Sequence, residues 1–205
     1  MSERIGIIGG GGQADEAESF STREVAFRAV EKPYVNDHAR IDIEDPGELV
    51  DYPVVFAVGA PGLRRRLVQL WPGNNYTKVI SRSSYIDDSS DIKEGVIIAP
   101  SAVITTNVII GAHALINVGA SVQHDSVIGD FVTVSPGARI GGNVDIGDGV
   151  FVGMGASIIQ RVRIASGIVI GAGATVMADL LEENGVYVGT PAKLVKRNEG
   201  WIHEL

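Results

Sequence analysis

At 205 residues, 45% of them hydrophobic, the chain is long enough to bury a core in one domain or two modest ones. It has no cysteine, which excludes disulfides, cysteine nucleophiles and thiolate-bound metal and agrees with a cytoplasmic location. A formal charge of -8 argues against nucleic acid as the main partner, no apolar run is long enough to span a membrane, and Met1-Ser2-Glu3-Arg4 lacks a signal-peptide pattern.

Arg4 to Ile8 reads as a buried parallel strand. Gly9-Gly10-Gly11-Gly12-Gln13-Ala14 follows at once, and Ala14, Ala17 and Phe20 then share one side of a short helix. Glycines between a strand and a helix let backbone N–H groups approach a phosphate, so Gly9, Gly10, Gly11, Gly12 and Gln13 are candidate substrate-binding residues. Val25 to Val30 reads as a second strand. Glu31 follows it, near the place of a ribose-binding acid, and serves equally as a solvated strand-end charge. Pro33, Asn36, Asp37, Pro46 and Gly47 suggest turns around a short strand near Ile41–Ile43. Val54 to Val58 is a clearer strand. The helix after it has Leu63, Leu67, Leu70 and Trp71 on one face and Arg64 to Arg66 mostly elsewhere, and Pro72-Gly73 stops it. Residues 1–78 therefore form a small Rossmann-like α/β domain.

From Ile80 to Val176 an aliphatic residue recurs at every sixth position without a skip, including Ile98, Ile110, Val122, Ile140, Ile158 and Ile170. Four places after most of these stands a small or β-branched residue such as Ala114, Ala120 or Ser126. Glycine often follows the key position directly, as at Gly111, Gly129, Gly141, Gly147, Gly153 and Gly171. A period of six is neither helical nor that of a hairpin meander, and it marks a parallel β-helix with three sides per coil. The key residues point inward, the small residues fit near the corners, and the glycines ease the bends. Residues eighteen apart then stack roughly 4.8 Å from one another. The mainly β unit spans residues 79–195, and a tail of residues 196–205 carries Trp201 and His203, either packed or frayed. The repeats resemble the hexapeptide-repeat acyltransferases, a resemblance that implies a left-handed β-helix.

Two of the four histidines, His113 and His124, lie in the repeats. His124 comes two places after the inward Val122, at an outward corner, with Asp125 beside it. A carboxylate next to an imidazole can fix its tautomer and raise its basicity, as a general base requires. Adding one coil, 124 + 18 = 142, puts Gly142 next to His124, where its N–H can stabilise an oxyanion. The basic residues Arg139, Arg161, Arg163, Lys193, Lys196 and Arg197 gather late in the chain. They form either a solvated face or a site for an anionic ligand. A γ-type carbonic anhydrase on this scaffold would need three zinc-binding histidines where the repeats supply two, so no metal site is expected.

Gln123 to Gly129, Gly141-Gly142-Asn143, Pro191-Ala192-Lys193 and the glycine loop together resemble one group of bacterial sugar acetyltransferases. It includes the UDP-4-amino-sugar N-acetyltransferases and sialic acid O-acetyltransferases. The resemblance covers nearly the whole chain and implies direct attack of a sugar amine or hydroxyl on acetyl-CoA. On this likeness His124 is the general base, Asp125 orients it, and the Gly142 N–H meets the acetyl carbonyl. Asn117 lines the site, and Lys193, with Arg161 and Arg163, serves the coenzyme. The resemblance also implies a homotrimer with active sites between subunits, and a nucleotide-sugar acceptor held by residues 1–78. Three positions depart from the family pattern. Gln13 stands where the glycine loop often has histidine, the acidic pair after the second strand is reduced to Glu31, and Thr133 replaces a histidine of some relatives. An O-acetyltransferase of free or sialic-acid-type sugars, and a non-catalytic trimeric scaffold, are the alternatives.

Overall fold

The computed structural model describes residues 4–35 and 40–204. Its first unit is a parallel sheet in the order β3-β2-β1-β4, with β1 at Ile5–Ile8, β2 at Val25–Val30, β3 at Arg40–Asp42 and β4 at Val54–Phe56. Helix α1 (Gly12–Phe20) follows β1, and helix α2 (Pro61–Leu70) follows β4. The two helices cover opposite faces. Ala14 and Ala17 of α1 pack with Ile5, Ile7 and Val55, while Leu67 of α2 and the adjoining Trp71 pack with Ile8, Phe27 and Phe56. Strand order therefore reverses between β1 and β4, which opens a crevice at their carboxyl ends.

The strand expected near Ile41–Ile43 lies one residue earlier, and Ile43 is wholly buried just beyond it. Pro33 and Gly47 fall in 3-10 turns at Lys32–Tyr34 and Gly47–Asp51, whereas Asn36 and Asp37 lie outside the described residues. β4 is shorter than its apolar run. Its ladder ends after Ala57, because the next two carbonyls, of Val58 and Gly59, are taken by Arg64.

Two-residue strands run from Val79–Ile80 to Thr175–Val176 and stack into three parallel sheets, each strand pairing with the one eighteen residues on, as Ile97 with Leu115 and Leu115 with Thr133. This is a left-handed parallel β-helix. The key aliphatic residues from Ile98 to Val176 are buried. Ile80, Ile86 and Ile92 are only half-buried, since they form the first coil and nothing stacks beneath them. Val186 and Tyr187, within the strand Gly185–Val188, pair with Val169 and Ile170 and continue the sheet that begins at Val79–Ile80, and the strand Lys193–Arg197 lies antiparallel on its edge.

The bends are made differently from the expectation. From Ile92 to Ile170 the residue with positive φ stands three places after each key position: glycine at Gly119, Gly137 and Gly155, but also Asn107, His113, Asp125, Phe131, Asn143 and Arg161. The glycines directly after the key positions serve close stacking instead. A Cβ on Gly111 would meet the Gly129 carbonyl carbon at 2.5 Å, and one on Gly141 would meet the Gln160 nitrogen at 2.6 Å.

The two units share a core. Ile97 and Leu115 point outward from the β-helix, yet they are buried against Ala14, Ala17 and Val55. Beside them Arg64, one of three arginines expected mostly off the apolar face of the helix, is 1% exposed. Its spacing from Leu67 and Trp71 puts it on the same helical face. Its Nε donates to the His113 carbonyl at 2.8 Å, and Nη2 donates to the Phe131 carbonyl at 2.6 Å and Thr133 Oγ1 at 3.0 Å. Nη1 donates to the carbonyls of Val58 and Gly59. A buried cation thus fastens the sheet unit to the β-helix through neutral oxygens alone, and burial pushes its pKa down to about 9. No helix among the described residues is long and apolar enough to cross a membrane.

Candidate functional site

The crevice at the ends of β1 and β4 is a cleft of about 920 Å³ whose walls include the glycine loop, Glu31, Arg40 and Arg66. The four glycines divide their work. A Cβ on Gly9 would lie 2.7 Å from the Ala57 carbonyl oxygen and one on Gly10 would lie 2.9 Å from Val30, so these two allow the strands to pack. Gly11 and Gly12 have nothing within 4 Å of a would-be Cβ. They head α1, and among the described residues their N–H groups have no acceptor in the chain. Open space before unpaired N–H groups at a helix N-terminus suits an anion. Glu31 lines the cleft with its carboxylate 2.6 Å from Arg66 Nη2. Gln13 leaves the loop toward the β-helix, where its Oε1 accepts from Asn117 Nδ2 at 3.3 Å.

The second cluster stands at the corner between the strands Ser121–Val122 and Val127–Ile128. His124 Nδ1 lies 2.8 Å from Asp125 Oδ2. Asp125 has φ 59°, and this left-handed turn folds its carboxylate back onto the preceding ring. The sequence could not decide whether such adjacent side chains meet. The contact gives the imidazole the tautomer with hydrogen on Nδ1, leaving the Nε2 lone pair free. The hydrogen bond from His124, and after it one from Asn107, holds the Asp125 carboxyl below the usual carboxylate range.

Gly142 lies one coil on, as the stacking rule requires. A Cβ there would come 2.6 Å from His124 Nε2, so the ring rests where a side chain would stand. The neighbouring backbone groups are occupied: Asn143 N–H donates to the His124 carbonyl at 2.9 Å, and the Gly142 carbonyl accepts from Arg161 N–H at 3.0 Å. The Gly142 N–H itself has no acceptor among the described residues. Two further residues shape the corner. Buried Ser126 donates to the Gly141 carbonyl at 3.0 Å and accepts from Val144 N–H at 3.1 Å, pinning the glycine turn. Asn107 Nδ2 donates to Asp125 Oδ1 at 3.1 Å. The same eighteen-residue subtraction, 125 − 18 = 107, would have found Asn107.

The other anticipated residues are dispersed. Asn117 stands at the next corner back along the coil, and His124 does not line the cleft of its own chain. Arg139, Arg163 and Lys193 lie on three different faces of the prism. Arg163 is ion-paired with Asp179 at 2.7 Å and Arg197 is paired with Glu182, whereas Arg161 and Lys193 have no ion pair among the described residues. Arg161 lies on the His124 corner, one coil beyond Asn143. His113 is at a third corner, and no group of three or more His, Asp or Glu able to hold a metal occurs among the described residues.

Nearly the whole chain superposes on solved structures that include a GDP-perosamine N-acetyltransferase. PerB of Caulobacter crescentus, solved with CoA and GDP-perosamine, matches with a TM-score of 0.84 at 27% identity, over 94% of this chain and 97% of that one. WeeI from Acinetobacter baumannii matches with a TM-score of 0.80 at 26% identity, over 95% of this chain and all 100% of that one. The chain is an acyltransferase, similar to solved hexapeptide-repeat sugar N-acetyltransferases. The fold is shared also with the acetyltransferase domain of PglB from Neisseria gonorrhoeae, solved with acetyl coenzyme A, at a TM-score of 0.83 and 24% identity over 95% of this chain and 100% of that one. No family model matches the chain, and no curated protein does. Thr133, one of the three expected departures from the family pattern, is buried in the seam. Its Oγ1 donates to the Gly59 carbonyl at 2.7 Å and accepts from Arg64.

Proposed function

We propose that the protein transfers an acetyl group from acetyl-CoA to the amine of a nucleotide-linked amino sugar. His124 Nε2 takes the amine proton as nitrogen attacks the thioester carbon. The Gly142 N–H meets the oxyanion that forms. The tetrahedral species then collapses, the C–S bond breaks, and the imidazolium returns its proton to the leaving CoA sulfur. The observation that carries this reading is the 2.8 Å contact of His124 Nδ1 with Asp125, which leaves Nε2 as a base beside an unpaired N–H. The anion-ready cleft above Gly11 and Gly12, and the GDP-perosamine bound to PerB, support a nucleotide sugar as acceptor.

The working unit is a homotrimer. The cleft reaches the β-helix at the Asn117 corner and His124 stands at another, so an active site that uses both is built between subunits. Arg161 and Lys193, without ion pairs among the described residues, then serve the coenzyme. Release of free CoA thiol from acetyl-CoA, measured against a panel of nucleotide-linked amino sugars, tests the reaction. His124→Ala should lower turnover by about 10²–10⁴-fold and leave acetyl-CoA binding nearly intact. Wild-type turnover in that variant would remove His124 from the chemistry, and a fully active monomer by light scattering would remove the shared site.

A further inference from the structure

The tail is built into the fold. Trp201 lies across the corner formed by Gly149 and Gly167, where an added Cβ would come within 2.1 and 2.7 Å of its indole. Positive φ does not by itself require glycine at this corner, since His113 and Phe131 turn there at 56° and 58°. Glycine at the two later positions leaves room for the indole. The Arg65 guanidinium covers that ring at 3.9 Å. The Ile202 carbonyl then accepts from Gly62 N–H at 2.8 Å. A Cβ on Gly62 would lie 2.7 Å from the same oxygen and 3.0 Å from His203 Nε2.

This anchoring delivers His203 and Glu204 to the wall of the cleft. Gly62 is in the first turn of α2, so His203 sits at the head of α2 as Gly11 and Gly12 sit at the head of α1. The two helices flank the crevice from opposite faces of the sheet. Of the other charged groups there, Arg66 is paired with Glu31, and Arg40 donates to the Gly10 carbonyl. The His203 imidazole has no hydrogen-bond or ion-pair partner among the described residues.

We propose that His203 is an acceptor-binding residue, whose imidazole holds the diphosphate of a nucleoside diphosphate sugar against the N–H groups of Gly11 and Gly12. A diphosphate spanning the crevice meets a helix head on one side and an imidazole donor on the other. Glu204 faces the same space and opposes the anion, so its charge limits affinity. The inference rests on the acceptor reading above and adds a contact from the tail.

Calorimetry of the full chain with GDP and with UDP, and with CoA as control, tests it. His203→Ala should weaken binding of the preferred nucleotide about ten- to a hundredfold, with CoA affinity and melting temperature unchanged. His203→Gln should keep part of the affinity through its amide donor, and Glu204→Gln should bind no more weakly than wild type. Unchanged nucleotide affinity in His203→Ala, while a bulky residue at Gly11 abolishes binding, would overturn the role of His203 and leave the acceptor reading standing. A wild-type protein that binds neither nucleotide would overturn both.

Discussion

Asn107 reaches one coil along the prism to Asp125, Nδ2 to Oδ1 at 3.1 Å, while the other carboxylate oxygen of Asp125 holds His124 at 2.8 Å. The three side chains form one line of hydrogen bonds that ends at the imidazole. Asp125→Asn keeps the left-handed turn, which asparagine tolerates, but it removes the charged acceptor that holds His124 Nδ1. It should lower kcat by about tenfold or more, less than deleting the base. Asn107→Gly removes the amide without straining φ 56° and should cost about two- to tenfold in kcat, the worth of one hydrogen bond. KM for acetyl-CoA should hold in both variants. A change confined to KM would show that the line serves binding instead.

Gly142→Ala separates crowding from stability. Gly142 is not among the residues with positive φ, so alanine fits the backbone, but its Cβ would stand 2.6 Å from His124 Nε2. The ring must swing away from Asp125 or from the oxyanion position. Turnover should fall by at least tenfold, against about 10²–10⁴-fold for losing the base altogether. The melting temperature should stay within a few degrees of wild type. Full activity in this variant would place the working imidazole in another rotamer.

Arg64→Met should be strongly destabilising. It strands the carbonyls of Val58, His113 and Phe131 at the seam, and each buried unsatisfied group costs about 1–3 kcal/mol. A loss of about 3 kcal/mol or more is expected, with limited proteolysis opening the segment between α2 and the first coil before the coils themselves. Arg64→Lys rescues little, since one ammonium cannot reach acceptors on both sides of the seam.

His113 makes stability depend on pH. Its ring is stacked on Phe131 at 5.1 Å and edged by Phe56 and Tyr76, and burial, with the Arg64 charge second, pushes it down to about 4. The unfolded chain takes up this proton near pH 6.5 and the folded chain only near 4, so between those values the unfolded state binds more protons. Stability should therefore fall as pH drops from about 6.5 and level off below about 4 as far as this group is concerned. His113→Phe, a residue that Phe131 shows the same turn accepts, should flatten that slope in thermal melts. An equal slope in wild type and variant would assign it to other groups.

The β-helix was legible because every coil repeats the same demand, an aliphatic residue inward at each sixth place, and an error at one position is outvoted by the rest. His124, Asp125 and Gly142 were legible for the same reason, since stacking converts sequence distance into spatial distance. The sheet unit was harder. Arg64 lies on an apolar face, and only a partner surface far along the chain explains a buried cation there. Trp201 and His203 gave no local signal, because what places them is space left at Gly62, Gly149 and Gly167. The late basic residues looked like one patch in one dimension, whereas the three-sided coil distributes them over separate faces.

The seam at Ile97 and Leu115 and the working corner at His124 both belong to a stack that turns through a third of its circumference every six residues. Extra length in such a stack is tolerated only in whole revolutions. Eighteen residues added between Ile146 and Phe151 would lift the later coils by one storey and keep every face in line, including the shelf on which Trp201 rests. Six added directly after Ile146 would rotate all later faces by one side, carrying Gly149 and Gly167 together to a corner away from Gly62 of α2. The first variant should fold with its tail on the α2 side, one storey higher, and the second should leave the tail open to protease, so divergence of this scaffold in length is quantised in full turns.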